Sequence, residues 1–118
     1  MVLVDTSVWV KHLRDGEPAL EDLLEDAHVM CHPFIVGELA CGNLKKRTEI
    51  LGLLQALPMA VSAEHGEVLR FIDDNRSMAK GLGFVDMHLL ASALLSGLQL
   101  WTLDKTLQQV ALKLGLAF

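Results

Sequence analysis

Four carboxylates stand where this chain could do chemistry: Asp5, Glu38, Asp86 and Asp104. Asp5 ends the apolar run Val2–Val4 and is followed by the hydroxylic residues Thr6 and Ser7. An apolar run without alternation suits a strand buried on both faces, as strands of a parallel sheet are. Ligands of open α/β sheets bind beyond the carboxyl ends of the strands, which places Asp5 where a site would be built. Glu38 falls in the helix after a second strand, Asp86 begins the helix preceding a later strand, and Asp104 follows that strand directly. All four therefore converge on one rim of the sheet. Carboxylates gathered in this way repel one another and raise one another's pKa values, so they persist as anions only with cations between them. Oxygen-only ligation with room for waters suits Mg²⁺ or Mn²⁺, and such a site activates water for in-line attack on a phosphodiester.

The plain alternative is helix capping. Asp is among the best N-cap residues, so Asp5, Asp86 and Asp104 could each cap a helix and do nothing more. Capping does not account for the apolar surroundings of Asp86, between Val85 and Met87, or of Glu38 within FIVGELAC. An ionised group in such a setting needs a partner.

The elements that must position these residues follow from periodicity. A first helix runs from the Thr6–Ser7 cap to about Arg14, and Asp15–Gly16 ends it. Pro18 suits a helix N1 position, with Leu20, Leu23, Leu24 and Ala27 on one face and acidic residues on the others. His28–His32 reads as a strand, Pro33 opens a helix that Gly42 closes, and Lys45–Leu57 reads as another helix. Pro58–Val61 is a further strand, followed by a helix from about Ala63 to Met78 and the flexible loop Lys80–Gly83. Asp86–Ser96 has hardly a polar residue and must be a buried helix. Leu98–Trp101 is a strand, Asp104 starts the last helix, and Leu116–Phe118 closes the chain as a possible fifth strand. Strands alternating with helices imply crossovers and a parallel sheet covered on both faces, an α/β domain of 118 residues.

A hydrophobic fraction of 52% supports a substantial core and excludes a disordered chain. A net charge of −5 argues against broad electrostatic binding to nucleic acid, but not against a nucleic-acid enzyme whose site is made positive by bound metal. No secretory signal is visible, and the uncharged stretch Leu89–Leu103 is too short to span a bilayer, so the expectation is a soluble cytoplasmic protein. Cys31 and Cys41 then read as buried reduced thiols. Lys45, Lys46 and Arg47 form the one basic run, and Lys80 lies in the loop before Asp86. These four could contact RNA, although a charge run is usually a solvated helix face. The histidines lack a paired metal spacing, and His88, two residues from Asp86, does not share its helix face.

At the same residues the sequence resembles a known family. VLVDTSVWV, IVGELACG, GFVDMHLLASALLSG and LWTLDKTL, in that order, are similar to the four acidic motifs of PIN-domain ribonucleases, in particular the VapC toxins of bacterial toxin–antitoxin pairs. The resemblance implies a three-layer α/β/α sandwich with a short parallel sheet of four to five strands. It implies Mg²⁺- or Mn²⁺-dependent endoribonuclease activity on structured RNA such as tRNA or rRNA, homodimerisation, and neutralisation by a cognate antitoxin. Residue by residue, Asp5, Glu38, Asp86 and Asp104 match the acidic quartet, and Thr6 and Thr102 match hydroxylic positions that orient those carboxylates. Asp5, Asp86 and Asp104 would hold one or two divalent ions, and Glu38 would bind through water or orient the attacking water. Many relatives carry an Arg where Leu103 stands and a further acid soon after Asp104, where this chain has Lys105 and Thr106.

Rival readings are an inactive protein of the same fold that only binds a partner, and a phospho-acceptor signalling domain. The second needs an acid after a central third strand, where this chain has Ser62–Ala63. A DxD phosphatase is disfavoured because Ser7 stands two residues after Asp5.

Overall fold

The strand Val2–Val4 (β1) is the middle of the sheet, and its three side chains are buried on both faces. The computed structural model describes all 118 residues, in the order β1, α1 (Thr6–Asp15), α2 (Pro18–Glu25), β2 (Val29–Met30), α3 (Pro33–Ala40), α4 (Arg47–Ala56), α5 (His65–Asp74), α6 (Phe84–Ser96), β3 (Gln99–Trp101), α7 (Lys105–Lys113). The sheet order is β2-β1-β3, with both pairings parallel. Leu3 faces Met30 on one side and Leu100 on the other. The α/β architecture with a parallel sheet is thus the one the apolar runs dictate.

The sheet has three strands, not four or five. The two further expected strands, Pro58–Val61 and Leu116–Phe118, shrink to single parallel bridges, Cys31 with Met59 and Leu100 with Ala117. Cys31 donates to the Pro58 carbonyl (2.8 Å) and accepts from the Ala60 amide (2.8 Å), a one-residue exchange. Pro58 brings no N–H of its own, so the ladder cannot extend back along the chain.

Helix boundaries moved for local reasons. α4 opens at Arg47, not Lys45, because Lys46 takes a left-handed backbone (φ 52°). α5 stops at Asp74, not Met78, where the Asn75 side chain bonds back to the Phe71 carbonyl (2.8 Å). α6 starts at Phe84, so Asp86 lies inside its first turn and not at its cap. Its consecutive residues Met87–Ala93 are all buried, as an almost uninterrupted apolar sequence demands. Cys31 is buried and Cys41 is exposed, against the expectation of two buried thiols; neither is in a disulfide.

Gly97 terminates α6 with a left-handed backbone (φ 64°), and a Cβ there would meet nothing within 4 Å. Gly97→Ala is therefore expected to cost about 1 kcal/mol from backbone strain alone, read as a lower urea midpoint with an unchanged slope.

Candidate functional site

Asp5 occupies the N-cap position of α1 but makes no side-chain cap hydrogen bond. Its backbone carbonyl, not its carboxylate, accepts from the Val8 and Trp9 amides. The carboxylate is 7% exposed and is held differently: Oδ2 accepts from Ser7 Oγ (2.8 Å) and from Thr102 Oγ1 (2.7 Å). The Asp5 amide bonds to the Trp101 carbonyl (2.9 Å), which sets the carboxyl ends of β1 and β3 side by side. Beyond them, Ser7 Oγ accepts from the Leu103 amide (3.0 Å) and Thr102 Oγ1 from the Asp104 amide (3.1 Å). Two hydroxyls thus bind the turn that bears Asp104 to the carboxylate of Asp5.

Asp104 does cap its helix, Oδ1 accepting from the Leu107 amide (3.0 Å). Asp86 reaches back so that Oδ2 accepts from the Gly83 amide (3.3 Å). Glu38, on α3, takes Thr6 Oγ1 on its Oε1 (2.8 Å). It stands exposed at the surface, not within the apolar setting its neighbours suggested, because α3 buries only Ile35 and Leu39. A common pattern emerges. Each carboxylate is fixed through one oxygen, and Asp5 Oδ1, Glu38 Oε2, Asp86 Oδ1 and Asp104 Oδ2 take no hydrogen bond from the protein.

The electrostatics place them in one neighbourhood. Burial pushes the Asp86 carboxyl above the ordinary Asp range, the Gly83 amide opposes this, and the negative charges of Asp5, Asp104 and Glu38 all push it further up. Neither of the two ion pairs, Lys11–Glu17 and Arg14–Asp15, involves any of them. No three His, Cys, Asp or Glu side chains are drawn tightly enough to share an ion as they stand. The donor set nevertheless fits a hard divalent cation: four carboxylates, uncompensated by protein cations, each presenting a free oxygen. Mutual repulsion keeps such groups apart until a cation screens them.

Residues 2–113 match the family described as the PIN domain. The chain belongs to the PIN-domain family. Two relatives from Mycobacterium tuberculosis, the protein Ribonuclease VapC32 in strains CDC 1551 / Oshkosh and ATCC 25618 / H37Rv, are each 45% identical to it over 118 residues. The alignment covers 99% of this chain and 95% of each relative.

In this PIN domain two of the four expected basic residues line one groove. Lys45 and Lys46 line a groove of about 580 Å³ that Thr6 and Glu38 also border. Arg14, not foreseen, lines it with them. Arg47 instead donates to the Gly42 carbonyl (3.3 Å) beyond the end of α3, and Lys80 is exposed away from the groove. No helix is long and apolar enough to cross a membrane.

Three polar residues to which the sequence gives no role at the site hold it together from within: Ser7, His32 and Ser92. His32 is wholly buried and caps α3, its Nδ1 accepting from the Phe34 amide (3.0 Å). Burial, and to a lesser degree the nearby charge of His88, lowers its pKa from 6.5 to about 4. Because the folded pKa lies below the unfolded one, the stability contributed by neutral His32 is complete above pH 6.5 and is lost as pH falls toward 4. The expected loss over that window is on the order of 2–3 kcal/mol in urea unfolding, and His32→Asn flattens this part of the pH profile.

Proposed function

We propose that this chain is a divalent-metal-dependent endoribonuclease that hydrolyses phosphodiester bonds in RNA, with tRNA or rRNA as substrate, and acts as the toxin of a toxin–antitoxin pair. The observation that supports this most is the set of four carboxylates, each anchored through one oxygen with the other left free. Asp5, Asp86 and Asp104 would hold Mg²⁺ or Mn²⁺. When bound, the ion lowers the pKa of water and stabilises charge on the scissile phosphate. Ser7 and Thr102 keep Asp5 from rotating, because both their hydroxyls converge on Oδ2. Thr6 does the same for Glu38, whose free Oε2 would bind the ion through a water, or orient the attacking water and accept its proton. Arg14, Lys45 and Lys46 draw the RNA backbone along the groove toward Glu38.

The name of the two M. tuberculosis relatives supports the RNA-cleaving reading. A cognate antitoxin in the cytoplasm is the partner that reading brings with it. Homodimerisation is assigned to the apolar side chains left exposed on α5 and α6, among them Leu69, Leu94 and Leu95. The chemistry is tested on an RNA cleaved by the purified protein. A 2′-deoxy substitution at the cleaved position is expected to leave cleavage intact, because water and not the 2′-hydroxyl attacks. Complete protection by that substitution would overturn the mechanism.

A further inference from the structure

Under the site lies a closed hydrogen-bond hub that none of the four carboxylates uses. Ser92 Oγ, wholly buried on α6, accepts from the Ala63 amide (3.0 Å) and lies 3.1 Å from His32 Nε2 and 3.4 Å from His88 Nδ1. The proton positions follow by elimination. His32 Nδ1 is already an acceptor for the Phe34 amide, so the neutral ring carries its proton on Nε2 and donates to Ser92. That fills both acceptor positions of Ser92 Oγ, and its own proton goes to His88 Nδ1. Ser92 Oγ is thus fully hydrogen-bonded at full burial, by partners from the cap of α3, from α6 itself and from the Ala63 segment.

This hub joins the two helices that bring Glu38 and Asp86 to the site. His32 caps α3, six residues before Glu38, and Ser92 lies six residues after Asp86 on α6. The His32–Ser92 bond is the single hydrogen bond between His32–Ala40 and α6. α3 packs mainly on α4 and α1, and beside this bond α6 meets the start of α3 through the His88 ring, whose centroid lies 4.3 Å from that of Phe34 and 5.2 Å from that of His32. We infer that His32 and Ser92 are positioning residues, whose bond fixes the Glu38 carboxylate relative to Asp86 and thereby sets the affinity of the site for a divalent cation. This rests on the metal-site reading above and adds the residues that hold it in register.

The test is a double-mutant cycle in the full-length protein, with Mn²⁺ affinity read by calorimetry and kcat and KM read on RNA. His32→Asn keeps a side-chain oxygen to cap α3 but is too short to reach Ser92. It is expected to weaken Mn²⁺ binding about tenfold, the scale found for partners that orient metal ligands, and to lower kcat while leaving KM within about twofold. In the Glu38→Gln background, where the ligand it positions is already lost, His32→Asn is expected to change Mn²⁺ affinity by less than about twofold. Ser92→Ala provides the same cycle from the other helix should His32→Asn unfold. Equal losses in both backgrounds, or unchanged Mn²⁺ affinity in a folded single variant, overturn the inference. A wild type that binds no Mn²⁺ removes the proposed function itself, whereas normal wild-type binding with an additive cycle removes only the positioning role.

Discussion

Asp5→Asn lowers RNA cleavage by a factor on the order of 10³ or more and leaves the protein folded, with an unfolding midpoint close to that of the wild type. The asymmetry comes from how the two oxygens are used. Asn retains one carbonyl oxygen, and the hydroxyls of Ser7 and Thr102 select it for the Oδ2 position because both must donate there. The amide nitrogen then stands where Oδ1 stood, presenting hydrogens to the cation in place of a charged ligand. Architecture survives and the ligand is lost. RNA cleavage, with circular dichroism and urea unfolding of the same preparation, checks both halves. A variant that cleaves at the wild-type rate contradicts the assignment of Asp5.

Asp86→Asn is expected to abolish cleavage to a similar extent while making the metal-free protein more stable. Asp86 is half-buried, unpaired with any cation, and exposed to the charges of Asp5, Asp104 and Glu38. Its folded pKa is raised, so the carboxyl is easiest to accommodate when protonated, and its ionisation costs stability as pH rises through the folded pKa. At pH 7 the neutral amide removes that cost and still accepts from the Gly83 amide. Thermal unfolding in EDTA should therefore give a higher Tm for the variant than for the wild type. Added Mn²⁺ should reverse the order, raising the wild-type Tm by mass action and leaving the variant nearly unmoved. A variant less stable than the wild type in EDTA would show that the four carboxylates do not repel as described.

Much of this was legible from local sequence. Val2–Val4 announces a central buried strand because burial on both faces removes the polar alternation that other strands show. α6 announces its own burial for the same reason. Asp5 and Asp104 could be placed from chain order, since each directly follows an apolar run. The outer strands were overread because an apolar tripeptide looks the same whether it pairs over its length or at one residue. The run FIVGELAC suggests a buried acid at Glu38, yet an eight-residue helix buries one stripe, and Glu38 stands beside it. The Ser7–Thr102 and His32–Ser92 contacts span 95 and 60 residues of chain, so no local pattern signals them. Arg14 lines the groove because α1 faces the Gly42–Lys46 turn, a tertiary arrangement that a scan for runs of charge does not detect.

The most direct measurement is cleavage of total tRNA and rRNA by the purified protein in Mg²⁺ or Mn²⁺, followed by EDTA and then by excess Mn²⁺. The carboxylate site predicts discrete RNA fragments with the metal, none in EDTA, and recovery on readdition. Fragments that persist undiminished in EDTA, or a folded, Mn²⁺-binding protein that leaves every RNA intact, would contradict a metal-dependent ribonuclease built on Asp5, Glu38, Asp86 and Asp104.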